Sequence, residues 1–501
     1  MRHVLPTCLC SRKYTSPAAL QARIAEVERR EAELRDERVN LEVLANRLHN
    51  AQTPIARLPE EVLQNIFLWD HYALQCLRNI PQRNACLMSI SHRWMVAVSS
   101  YAPLWSTISV GLARFHRYFP EQQEQLLDAL SIRTRNFVVR SKRAPLCIQI
   151  HPGMGDMIRQ RLHDCLQRCR RLEMFAFTNT NNDAEQVPLS DRLSNLEDLT
   201  IVAHKRRGDD IALPLLPGLA ESGCQLKRLT LAGCEYDAQS IQLQIPPITI
   251  CTTLVFLDIS NSMDPHAFSQ LLLYCTYVRY VSYTRAAMTA LQSVPATSRS
   301  VDIYLPYLES LIISGEDDVL RCIARISAPS LVNLEIQRTY NPRPGATTEL
   351  PLWLAPNRAR FPNLRVMKLL HLVEWAPGDL SKFFCTQPAL EHFHIISLST
   401  TNVSGLLALA DPNVCPDLNA LLIQMNLNSL AEDTLTATLE RLWIPRRQTH
   451  ERMRQAQGKK PFVIRVNGQF TPNLGHRIGR LLEVPPSEVG EMIKPYEIPV
   501  I

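Results

Sequence analysis

Three patterns in this 501-residue sequence predict an α/β fold: an N-terminal helix and a small helical domain, then an array of parallel strands inside with helices outside. The first pattern is an L-x-x-L-x-L segment that recurs ten times between Leu172 and Ile423. The second is a set of apolar residues spaced by seven near the N-terminus. The third is a pair of short amphipathic patterns between residues 54 and 105. A composition of 46% hydrophobic and 20% charged residues is ordinary for a globular protein and excludes wholesale disorder. No apolar run approaches the roughly 18 residues that a membrane-spanning helix needs. No secretory h-region follows the start.

Residues 1–15 are expected to form a disordered N-terminus, and 16–50 a heptad helix. Ser16 can cap that helix and Pro17 suits its first turn. Leu20, Val27, Leu34, Leu41 and Leu48 hold every d position. Ile24, Glu31, Arg38 and Ala45 hold the a positions, so that seam is apolar only half the time. The expectation is a solvated helix whose one apolar seam rests on the next domain. The alternative is weak self-association through 16–50.

Pro54 ends that helix. Pro59 is placed for a first helical turn, and Glu60-Glu61 suit its positive dipole end. Leu58, Val62 and Ile66 form one i, i+4 row, with Leu63 and Phe67 beside it. A second helical pattern runs from about Arg83 to Tyr101, with Leu87, Ile90, Trp94, Ala97 and Val98 on one face. Pro103-Leu104-Trp105 closes it, and Ile108 and Val110 begin an alternating strand.

Leu58-Pro59-Glu60-Glu61-Val62-Leu63-x-x-Ile66-Phe67, then Ser91-His92-Arg93-Trp94, then Ala102-Pro103-Leu104-Trp105-Ser106-x-Ile108 resembles the F-box over residues 53–107. The likeness is greatest to F-box-like proteins of mushroom-forming fungi, which also carry a short heptad helix before the box. That family usually has Cys-Arg-Arg-Trp where Ser91-His92-Arg93-Trp94 stands here. The resemblance implies a substrate-recognition adaptor of an SCF-type cullin-RING ubiquitin ligase. In such a protein the box binds the Skp adaptor, which joins a cullin, and the transferase chemistry belongs to other subunits. Carried onto this sequence, the adaptor contacts are Leu58, Pro59, Leu63, Ile66, Phe67 and Trp94. A non-enzymatic scaffold outside the ubiquitin system is the alternative.

Residues 108–470 read as a leucine-rich-repeat-like solenoid with a C-terminal cap, and 471–501 as a tail. The segments open at Leu172, Leu196, Leu226, Leu254, Val278, Leu308, Leu331, Leu364, Leu390 and Leu418. From Leu196 on, the steps range from 23 to 33 residues with a mean near 28, a period close to that repeat class. Helical patterns at Met157–Cys169, Pro265–Cys275, Val319–Ile326 and Gly405–Ala410 are candidates for the outer helices. Ala431–Trp443 reads as a terminal helix and Phe462–Val466 as a last strand.

In each L-x-x-L-x-L strand the leucines point into the core, so the residues flanking the second one face outward. That rule places Phe256, Asp258, Tyr280, Asn333, Glu335, Lys368, His392 and His394 on a concave, target-binding face. Phe256, Asp258 and Tyr280 form its centre, because aromatic anchors beside a polar group are typical of binding hot spots.

The sequence offers no catalytic signature: no G-x-S-x-G, P-loop, H-E-x-x-H, EF-hand loop or kinase set. An enzyme is therefore not expected, nor any cofactor. With 16 glycines against 34 prolines, phosphate-cradling loops are not expected either. The 14 cysteines include no CxxC pair and fall mostly among apolar residues, which suits a reducing cytoplasm or nucleus. His392 and His394 could reach one ligand from a strand, but no third ligand is apparent, so no metal is assigned. Glu316-Asp317-Asp318 reads as helix capping. The formal charge is +6, and residues 441–480 alone carry ten Lys/Arg against one acid, Glu451. The body is thus slightly acidic, and nucleic acid and membrane partners are not expected. Arg446-Arg447 and Lys459-Lys460 read as a solvated loop, or else as a nuclear signal or anion patch.

Overall fold

The computed structural model describes residues 16–74, 80–110, 120–151, 162–177, 192–204, 219, 223–233, 248–260, 263, 265–285, 302–315, 322–338, 360–370, 377–396, 404–426, 429–457 and 462–469. The tail from 471 and the cluster Glu316-Asp317-Asp318 lie outside them, as do residues 1–15. The chain divides into two compact units. One is Met1–Ser106 with Val139–Ala144, and the other is Thr107–Val138 with Pro145–Ile501.

The first unit is helical. Helix α1 (Pro17–Gln52) is a single run, begun by Ser16, whose hydroxyl accepts the Ala19 N–H at 3.2 Å. Its d-position residues are exposed rather than resting on a neighbouring domain, so that expectation is corrected. Helices α2 (Glu60–Leu74), α3 (Ile80–Ile90) and α4 (His92–Ser100) follow. The sequence pattern from Arg83 to Tyr101 suggests one helix, but the chain breaks at Ser91. That residue is extended, and its hydroxyl caps α4 by accepting the Trp94 N–H at 3.2 Å. Asn84 Nδ2 donates to the Leu104 carbonyl at 2.9 Å, and Trp105 Nε1 donates to the Val98 carbonyl at 2.7 Å. These two bonds tie the Pro-Leu-Trp turn onto α3 and α4. The Arg140 guanidinium covers the Trp105 ring at 4.4 Å, so residues 139–144 pack in this unit although they follow the first strand in sequence.

The second unit is α/β and is built on one parallel sheet of 13 strands. Its first seven strands are β1 (Thr107–Val110), β2 (Leu146–Ile150), β3 (Cys169–Phe177), β4 (Asp198–His204), β5 (Arg228–Gly233), β6 (Phe256–Ser260) and β7 (Tyr280–Thr284). A two-residue strand, β8 (Ile303–Tyr304), pairs apart from the sheet with β10 (Ile326–Ser327). The main sheet continues through β9 (Ser310–Gly315), β11 (Asn333–Arg338), β12 (Val366–Leu370), β13 (His392–Ile396), β14 (Ala420–Asn426) and β15 (Val463–Gln469). Sheet order follows chain order throughout.

All ten apolar segments fall on strands of this sheet. From β4 to β14 their leucine positions stand in register: Leu199, Leu229, Leu257, Val281, Leu311, Leu334, Met367, Phe393 and Leu421 form one buried row. The frame fails only at β3. Leu172 pairs with Leu199, the second leucine of the next segment, so Cys169 takes the opening position three residues earlier. A free cysteine packs there as a small apolar group, which is why a search for leucine misplaces it. Strand β2 and helix α5 (Pro120–Arg140) carry no leucine motif and are absent from the sequence expectations.

Where they are described, the connections are less helical than the patterns suggest. Only α7 (Pro265–Leu272) matches an expected helix, after the single turn α6 (Ile248–Cys251); α8 (Pro377–Thr386) joins it. Gly405–Ala410 lies in the 3₁₀ helix Ser404–Ala410, and the described part of 319–326 is the 3₁₀ turn Cys322–Arg325 leading into β10. Cys169 starts a strand instead of ending a helix, and 157–161 lie outside the described residues. The terminal helix α9 (Ser429–Gln457) continues through Pro445 well past Trp443.

Candidate functional site

Two surfaces carry the residues singled out by sequence, one on each unit. On the first unit the amphipathic pattern of α2 decides which residues are accessible. Leu63 and Phe67 are 0% and 1% exposed. They cannot be contact positions in this fold, and this corrects the expectation drawn from the resemblance. The reason is local: the Trp94 ring stands 4.8 Å from Phe67, so both belong to the seam between α2 and α4. Trp94 is half-buried there, and Leu58 is half-buried with its carbonyl accepting from the Arg93 guanidinium. Trp94 therefore packs into the seam, while the exposed Arg93 ties Leu58 to α4.

What remains outside on α2 is Val62, Ile66 and Trp69 at i, i+4 and i+7, with Trp69 78% exposed. Pro59 is also exposed, at the start of the same helix. Of this stripe only Ile66 is among the contact positions drawn from sequence. Trp69 carries a readable signal, three residues after Ile66 on the same row. Ile90 on α3, with Met95 and Val96 on α4, adds further exposed apolar surface. His71, on the inner side of α2, is buried, and burial lowers its pKa.

On the second unit the residues flanking each second leucine share the outward face of the sheet. Phe256, Asp258 and Tyr280 are all half-buried and lie on that face, as expected. Phe256 pairs with Tyr280 across β6 and β7, their rings stacked at 4.4 Å with 3° between planes. The Arg228 guanidinium from β5 covers the other face of Phe256 at 4.4 Å. The result is a three-layer stack running across the strands, each layer one strand apart. Asp258 lies in the next row, and its carboxyl is pushed up by burial against a lowering hydrogen bond from Ser282. Burial also raises the Tyr280 phenol, helped by the charges of Asp258 and Glu335.

The rest of the strip is polar. Asn333 and Glu335 lie on β11, and Lys368 on β12 places Nζ 3.2 Å from Glu335 Oε2. His392 and His394 are half-buried on β13, and His394 sits in register with Lys368. Its Nε2 is buried without a hydrogen-bond partner. Burial first, and the Lys368 charge second, push its pKa down to about 4. Among the described residues no group of three or more His, Cys, Asp or Glu could hold a metal ion.

The basic stretch is partly resolved by Arg446, which is 0% exposed and donates to backbone carbonyls instead of forming an exposed patch. Arg447 pairs with Glu451 at 2.9 Å. Lys459 and Lys460 lie outside the described residues. No helix among the described residues is long and apolar enough to cross a membrane.

No family model and no curated protein matches this chain. Among solved structures, a Bacteroides fragilis protein from a structural-genomics consortium is similar at a TM-score of 0.30 and 16% identity, covering 54% of this chain and 72% of that one. A likeness of that size carries no functional argument.

Proposed function

We propose that the chain is a substrate-recognition adaptor of an SCF-type cullin-RING ubiquitin ligase. The observation that carries this reading is the exposed Val62–Ile66–Trp69 stripe on α2, directly after Leu58-Pro59-Glu60-Glu61. The opposite face of α2 is closed by Leu63, Phe67 and Trp94. In this reading residues 53–107 are an F-box. The stripe is an apolar surface that a unit of this size leaves unburied, and the Skp adaptor covers it. Through that adaptor the chain joins a cullin.

The 13-strand sheet is read as a leucine-rich-repeat-like solenoid. Its outward rows, centred on the Arg228–Phe256–Tyr280 stack, hold a protein target. No chemistry falls to this chain, and it needs no cofactor. Its compartment is the cytoplasm or nucleus.

Co-purification tests the reading. The full chain should co-elute with the Skp adaptor, and Ile66→Asp or Trp69→Asp should abolish this. A carboxylate in an apolar interface costs several kcal/mol, enough to remove micromolar binding. The reading fails if wild type shows no complex, or if folded Asp variants still co-elute.

A further inference from the structure

Helix α1 carries an apolar seam that no other described part of the chain covers. Leu20, Ile24, Val27, Leu34, Leu41 and Leu48 are 49–65% exposed along it. We propose that the occupant of this seam is α1 of a second copy of the chain, packed antiparallel, with Glu31 opposite the partner's Leu34 and Ile24 opposite the partner's Leu41. The proposal is independent of the adaptor reading above.

The charges on α1 select both the partner and the direction. In a parallel, in-register pair each a position faces itself. Glu31 would then meet Glu31 and Arg38 would meet Arg38 in the core. The flanks are no better, because parallel packing sets each g residue against the e residue of the following heptad. Arg30 would face Arg35 and Glu37 would face Glu42, which leaves only Arg23 with Glu28 as an attractive pair. Two like-charged core layers and two like-charged flanking contacts disfavour that arrangement.

Antiparallel packing sets a against d, e against e and g against g. In the stated register Arg30 faces the partner's Glu37, and Glu28 faces the partner's Arg35. Two-fold symmetry makes each of these pairs twice. No like-charged pair arises on either flank. Shifting the helices to put Glu31 opposite the partner's Leu41 brings Glu28 against Glu42, and sets Glu37 and Arg35 each against its own copy. Shifting instead to put Glu31 opposite the partner's Leu48 avoids like charges but gives up two of the eight a–d layers, so the stated register combines the longest seam with attractive flanks.

The charges at a positions are also prepared within each helix. Arg35 bridges to Glu31 at 3.1 Å, and Arg38 bridges to Glu42 at 2.9 Å. Each a-position charge thus reaches the interface already neutralised by its own helix, which lowers the cost of covering it. At about 1.5 Å per residue the 36-residue helix extends far enough for four a–d layers on either side of the dyad.

Sedimentation equilibrium of the full chain at low salt tests both partner and direction. The expected result is a monomer–dimer equilibrium that Glu37→Lys weakens about tenfold, because two attractive Arg30–Glu37 contacts become repulsive. Adding Arg30→Glu to that variant should restore the dimer. Glu37 is exposed, so circular dichroism should show an unchanged fold. A parallel dimer predicts the opposite sign, since Glu37→Lys would relieve the repulsion with Glu42. A wild-type chain that stays monomeric at about 100 μM overturns the proposal, as does a dimer that Glu37→Lys leaves unchanged or tightens.

Discussion

Arg446 Nε donates to the Leu409 carbonyl at 2.6 Å, and Nη1 of the same guanidinium donates to the Cys415 carbonyl at 2.8 Å. The side chain also donates to the carbonyls of Asp411 and Val414. One guanidinium thus reaches four carbonyls between Leu409 and Cys415, at the end of the 3₁₀ helix Ser404–Ala410 and in the turn after it, and pins α9 against them. Arg446→Met should cost about 3 kcal/mol, since the buried carbonyls of Leu409 and Cys415 lose a charged donor. Arg446→Lys should recover little, because an ammonium cannot reproduce the planar fork. Urea unfolding, with hydrogen exchange over 404–415, measures both effects; stability within about 0.5 kcal/mol of wild type would refute the assigned role.

The interior and exterior rows of α2 should separate in mutagenesis. Leu63→Ala removes a fully buried side chain and should destabilise the helical unit by about 3 kcal/mol. Ile66→Ala should change stability by less than about 1 kcal/mol. Thermal melts followed by circular dichroism give the comparison, and equal losses would mean that α2 is turned differently.

Removing the half-buried Tyr280 ring from the centre of the sheet face should dissociate the two partner interactions proposed above. Tyr280→Ala leaves Leu257, Val281 and Tyr283 packed beneath the sheet, so the unit should stay folded. Target capture should fall while co-elution with the Skp adaptor persists, and Ile66→Asp should show the reverse. Quantitative pull-downs of both variants side by side test this; loss of both partners in either variant would contradict it.

Stability should depend on pH through His394. Its folded pKa is about 4 against an ordinary 6.5, lowered by burial and then by Lys368. The unfolded chain takes up a proton between those values that the folded chain does not. Stability is therefore full above pH 6.5 and declines as pH falls towards 4. His394→Leu should be more stable relative to wild type at pH 5 than at pH 7.5. Denaturant titrations at the two values decide the sign.

The thiols divide by depth. Cys86 and Cys385 are exposed, whereas Cys165, Cys169, Cys224, Cys251, Cys275 and Cys415 are buried. Burial pushes Cys224 up to about 11 and Cys415 up to about 12, so little thiolate forms at pH 8. Labelling with a thiol reagent and peptide mapping should find Cys86 and Cys385 modified in the native chain, and the buried six only after denaturation.

The sequence by itself determined the strand array, because a parallel strand buried along one row repeats the same residue type at the same place in every unit. The leucine rows from β4 to β14, and the outward placing of Phe256, Asp258 and Tyr280, follow from alternation alone. The amphipathic period of α2 was equally legible. Its orientation was not: Leu63 and Ile66 are both apolar, and only the packing of Trp94 on Phe67 decides which row is interior. Tertiary structure likewise decided the fate of Arg446. A guanidinium next to Arg447 reads as surface charge until the fold brings four distant carbonyls around it. Local periodicity encodes what a residue's own element requires. Contacts between residues 30 or more positions apart, as between Arg446 and Leu409 or Arg93 and Leu58, depend on how elements meet, and no short-range pattern carries that information.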